Sequence, residues 1–210
     1  MDGTPRPLTV SGTTLNVVVT RKRVKNVNAR LRGETLLVSA PLRLAQAELD
    51  RAVTELARRL VRRARARTVN GEVDLAGAAR RVAARFPKAP PPFAVSFSTS
   101  QRARWGSCSA RAGAILLNAA LVHMPPWVLE AVLAHELVHL FHRDHGPAFQ
   151  DLLRRVCPDA ERARAFLHGV SWVAGRWRSL PAVEREQLAG AAGDGDEAWN
   201  RQPRHGGPSV

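Results

Sequence analysis

The sequence predicts an α+β protein. An N-terminal antiparallel β-meander and a long helix are followed by a second region, in which short strands precede a strongly apolar helix. Three observations carry this reading. Strand-like runs occupy the segment before Pro41, a helical period takes over near Leu44, and strand and helix signals alternate again from Phe93. With 210 residues, 45% hydrophobic and 24% charged, the composition is that of a globular chain long enough to bury a core.

Taken in order, Leu15 to Val19 is short and β-branched. Val24 to Arg32 is polar and alternating, Gly33-Glu34 makes a turn, and Thr35 to Ser39 is a further strand stopped by Pro41. Leu49, Val53, Leu56 and Leu60 then recur at helical spacing within residues 44–67. The acids of this stretch lie early and its arginines late, as the helix dipole favours. Asn70-Gly71 reads as a turn, and Asp74 as the cap of a second helix running toward Phe86. Pro87 to Pro92 is a stiff linker.

Phe93 to Ser98 and Ala114 to Asn118 are strands, and Pro125-Pro126 opens an apolar helix expected from Trp127 to Asp144. Gly146-Pro147 breaks the chain. A helix with Phe149, Leu152, Leu153 and Val156 follows, then a shorter one from Asp159 to Leu167. Beyond Gly169 the sequence thins to Gly, Ala, Arg and acids, with one short helix expected from Pro181 to Ala191. The expected organisation is therefore an N-terminal domain over 1–92, a second domain over 93–169 and an unstructured tail over 170–210.

Lys+Arg number 32 and Asp+Glu 18, a formal charge of +14, with a pI near 11.6. Such a balance suits a nucleotide or nucleic-acid partner. Nearly all the cations are Arg, however, and Ala is abundant. Both have GC-rich codons, so base composition alone can produce the same excess. No run is apolar and long enough to span a membrane, the N-terminus does not read as a signal peptide, and Cys108 and Cys157 are the only cysteines. A cytoplasmic, reducing location is expected.

The chemistry is concentrated in His135-Glu136-Leu137-Val138-His139, inside the apolar helix. Residues four apart share a helix face, so two imidazoles can reach one metal ion, while Glu136 is turned aside to meet a water without being a ligand. Two His and a Glu buried there without partners would cost several kcal/mol, which a metal removes. A hydrolytic zinc site needs a third ligand and an open fourth position. His142 projects the same way as His135 but lies about 10.5 Å further along a continuous helix axis. His145 precedes the Gly146-Pro147 break, where the chain can turn back, and is the expected third ligand. Glu161, from a later helix, is the alternative. The spacing also resembles metzincins, but these have Gly where His142 stands and need a downstream Met-turn, and Met1 and Met124 both lie upstream.

Gln101 to Ser109, which contains Arg104-Trp105-Gly106-Ser107-Cys108, closely resembles the YgjP-like family of zinc metallopeptidases, together with Ile115 to Asn118, Leu121, Pro125 and His135 to Leu140. The resemblance covers about residues 15–167, with distant similarity to SprT-like proteins. It differs at Ala119 and Ala120, where family members carry an aromatic and a basic residue, and at Gln150, where they carry an aromatic.

The resemblance implies a zincin-like core binding one Zn2+ through His135, His139 and His145, with Glu136 as general base in peptide hydrolysis. Arg104, Trp105, Asn118 and His142 are the expected substrate-binding residues. Many zincins use a Tyr against the oxyanion. This chain has none, which leaves His142, His123 or Arg104 for that role, or the zinc ion alone. Cys108, in its Gly-Ser loop, reads as structural rather than as a ligand or nucleophile. A peptide or protein is the expected substrate. Nucleoside triphosphate hydrolysis and proteolysis on nucleic acid are the alternatives.

Overall fold

The computed structural model describes residues 4–101 and 103–191. Two hairpins open the fold: β1 (Arg6–Val10) with β2 (Thr13–Lys22), and β3 (Asn28–Arg32) with β4 (Thr35–Pro41). Gly33, at a positive φ of 54°, makes the tight turn of the second. The sheet order is β1-β2-β4-β3, and β2 runs parallel to β4, with Val17 opposite Leu36 and Val19 opposite Val38. The sheet is therefore mixed, where an antiparallel meander was expected. The physical reason is burial. The two most apolar strands, with Leu15, Val17, Leu36, Val38 and Ala40 buried, take the centre. β1, containing Pro7, and the polar β3 take the edges, where a missing N–H or a charged side chain costs little.

α1 (Gln46–Glu72) lays Leu49, Val53 and Ala57 against this sheet. It runs through Asn70-Gly71 instead of turning there. Asn70 is held by a partner distant in sequence: its Oδ1 accepts from Phe97 N at 2.8 Å and its Nδ2 donates to Phe97 O at 3.0 Å. Thr99 Oγ1 also donates to Arg62 O at 2.9 Å, so the second half of α1 is tied to β5 (Ala94–Ser98). α2 (Leu75–Ala83) begins where expected, with Asp74 Oδ1 accepting from Gly77 N at 2.8 Å.

The second sheet has the order β5-β7-β6, with β7 (Ala114–Asn118) parallel to β5 and antiparallel to β6 (Gly106–Ser109). β6 is thus an edge strand. A 3-10 turn (Ala119–His123) leads to α3 (Pro126–Val138), which packs on α2, β6 and β7. α4 (Pro147–Val156) follows and also packs on α3. An Arg85–Glu130 ion pair ties the end of α2 to α3.

Residues up to Ala163 form one compact unit, so the 92/93 boundary expected from the linker falls inside it. From Arg164 the chain belongs to a second unit. α5 (Ala160–Arg176) passes the expected end at Leu167, and α6 occupies Ala182–Ala191. The described part of the expected tail is therefore largely helical. Gly169 and Gly175 each weaken a helix by about 1 kcal/mol without stopping it, and no Pro intervenes before Pro181. Within this unit Arg176 stacks over the Trp172 ring at 4.4 Å. Trp199 lies outside the described residues. Among the described residues no helix is long and apolar enough to cross a membrane.

Candidate metal centre

α3 buries Val128, Ala131, Val132, Leu133, Ala134, Glu136, Leu137 and Val138, residues that together occupy every side of the helix. It stops at Val138, well short of the Asp144 expected from hydropathy, with His139 as its C-cap. Phe141 N and His142 N both donate to Val138 O at 2.9 Å, and Leu140 N donates to Leu137 O at 3.1 Å. These turn bonds end the helix without Gly or Pro, which is why the sequence carries no signal for the stop. The chain then doubles back toward α3. His142 lies beyond this stop and is not carried on a continuous α3.

The return brings His145 to His135, with Nε2 atoms 3.1 Å apart. With His139 they form a cluster in which one ligand atom from each lies within 4.8 Å of the others. Three nitrogens each about 2.0–2.1 Å from one tetrahedral ion would stand roughly 3.3 Å apart, so this donor set fits such an ion after small adjustments. The His139 Nδ1 lies 3.1 Å from the His142 carbonyl, which only accepts. Nδ1 therefore carries the proton, and the Nε2 lone pair is free for a metal. Burial, then the neighbouring His139 and His145, pull the His135 pKa down to about 4, and burial lowers that of His139. For both, burial favours the neutral imidazole that ligation needs. Phe149 of α4 is fully buried beneath the cluster, with its ring 4.9, 4.8 and 4.6 Å from those of His135, His139 and His145. Sequence reading placed Phe149 in an apolar helix but gave no sign that it is the floor of the triad.

Glu136, at 5% exposure, is the one buried charged side chain among the described residues. Burial pushes its pKa up to about 7, against the opposing charge of Arg104. It lies on the backbone of β6. A Cβ added at Gly106 would stand 2.8 Å from Glu136 Cγ and Cδ and closer still to Oε1. Gly106 is thus needed for close approach, a role hidden inside the Arg-Trp-Gly-Ser-Cys stretch until the partner is seen.

A cleft of about 640 Å³ opens over the triad and Glu136, lined also by Arg104 and by Cys108, whose thiol is pushed up in pKa by burial and by Glu136. The other expected substrate residues are placed differently. Trp105 and Asn118 are absent from the described lining, as are His142 and His123. Asn118 is occupied by backbone: its Nδ2 donates to Gln101 O at 3.3 Å and Arg104 O at 3.2 Å, and its Oδ1 accepts from Ala120 N at 3.0 Å. Trp105 O accepts from Asn118 N at 2.8 Å. These two residues position the loop that carries Arg104. His142 contributes its carbonyl to His139. Glu161 is not in the histidine cluster. Arg111 and Arg143, not singled out in the sequence, line the cleft.

Residues 71–169 match the family model described as YgjP-like, metallopeptidase domain. The resemblance read from the sequence is borne out over that stretch, which holds the triad, Glu136 and β6. The N-terminal mixed sheet lies outside it. No curated protein and no solved structure matches the chain. The matched domain and the histidine triad point to a metal-dependent hydrolase, and lend no support to a nucleic-acid partner.

Proposed function

We propose that this chain is a zinc-dependent metallopeptidase in which His135, His139 and His145 hold the ion and Glu136 is the general base. The observation that carries the reading is the convergence of three imidazoles beside a buried carboxylate at the floor of an open cleft. Three imidazole nitrogen donors suit Zn2+, and a cleft above them leaves room for a fourth position. When bound, such an ion supplies Lewis acidity, lowering the pKa of water toward about 7 and polarising a carbonyl.

The protein's own groups do the rest. Gly106 seats Glu136 against β6 at the cleft floor, where a carboxylate oxygen accepts the proton of the attacking water and later returns it to the leaving amine. His139, fixed by the His142 carbonyl, keeps its donor nitrogen turned inward. Arg104, exposed beside Glu136, places a positive charge in the same cleft. The free edge of β6 offers backbone groups to an extended peptide.

Glu136→Gln tests this. The amide keeps the side-chain shape but cannot accept the proton. Zinc content should be unchanged and casein hydrolysis should fall by at least about 10²-fold. Full turnover by the variant would remove Glu136 from the reaction.

A further inference from the structure

The cleft is asymmetric in charge. Arg104, Arg111 and Arg143 line it, and Glu136 is the single acid among the lining residues described. All three arginines are exposed, and none makes an ion pair among the described residues. Arginines are plentiful throughout this chain, so number alone carries nothing. Position does. Arg104 precedes β6 and Arg111 follows it, while Arg143 comes from the turn after α3. All four residues of β6 line the cleft, and its outer edge is unpaired within the sheet.

We propose that the cleft selects acidic peptides, with carboxylate side chains on both sides of the cleaved bond recognised by Arg104 and Arg111 at the two ends of β6 and by Arg143 across from it. The proposal rests on the peptidase reading above and adds its substrate class. A peptide laid along β6 advances about 3.4 Å per residue, so acids about four positions apart meet the two ends of the four-residue strand. Guanidinium forks pair with carboxylates in charge-assisted hydrogen bonds. A concave wall of one sign also concentrates ligands of the other.

The test uses the full zinc-loaded chain in 0.15 M salt, with three fluorescent peptides of one neutral sequence bearing Glu, Gln or Lys at two positions four apart. Binding is read by anisotropy on Glu136→Gln, and cleavage on the parent protein. The Glu peptide should bind at least about tenfold more tightly than the Gln or Lys peptide. Adding Arg111→Glu and Arg143→Glu, both on exposed positions, should reverse the order, so that the Lys peptide binds best. Equal binding of the three peptides overturns the proposal, as does a Glu preference that survives the charge reversal. A nucleoside triphosphate that binds where no peptide does overturns it in favour of a phosphate ligand. Cleavage separates the two levels. Equal cleavage of all three peptides keeps the peptidase and sinks its acidic preference, whereas selective binding of the Glu peptide with no cleavage keeps the acidic site and sinks the peptidase.

Discussion

α1 and α3 dispose of charge in opposite ways. α1 is 27 residues long and buries one face, leaving Arg58, Arg59, Arg63, Arg65 and Arg67 exposed. α3 is 13 residues long, is buried on all sides, and places Glu136 and two histidines at its inner end. The first arrangement costs almost nothing, because water solvates each guanidinium, and so it says little about function. The second costs several kcal/mol per unpaired group unless something compensates. The contrast teaches that the placement of a charge, rather than the chain's total of +14, points to the chemistry.

The largest effect expected within this contrast is at Phe149, which supports the triad from below. Phe149→Ala should lower stability by about 3–5 kcal/mol in urea unfolding, through the cavity left under three imidazoles. A loss below about 1 kcal/mol would mean that the histidines do not depend on this floor.

Gly106→Ala should cost less, about 1–3 kcal/mol, because the added methyl meets Glu136. That cost should shrink when Glu136 is itself Ala, since Cγ, Cδ and Oε1 are then gone. A double-mutant cycle measures the coupling, and purely additive costs would show that Gly106 serves the strand and not the carboxylate. At the other extreme, Arg59→Ala and Arg63→Ala on the exposed face of α1 should each change stability by less than about 0.5 kcal/mol and leave zinc content intact. A larger loss at either position would end the view of α1 as a solvated face.

What was legible in the sequence was local. Pro125-Pro126 marks the start of α3, Asp74 the start of α2, and the four-residue histidine spacing marks the site. The unreadable features depend on partners far along the chain. Alternation sets which face of a strand is buried but not its neighbour, so the parallel pairing of β2 with β4 had no local sign. Asn70 looks like a turn residue and becomes helical because Phe97 occupies its side chain. The stop at Val138 has no breaker residue, and it is what carries His145 back to His135. His145 was expected as the third ligand because the chain can turn back at Gly146-Pro147; the reversal instead begins earlier, just after Val138.

That turn makes zinc content the most direct test of the central claim, measured side by side on the purified parent, His145→Ala and His142→Ala proteins. Because His145 faces His135 while His142 offers only its carbonyl to His139, His145→Ala should be empty at micromolar zinc. His142→Ala, which keeps that carbonyl, should hold one ion per chain, with affinity weakened by no more than about 10- to 100-fold. An empty His142→Ala protein, or a filled His145→Ala protein, would contradict the three-histidine centre.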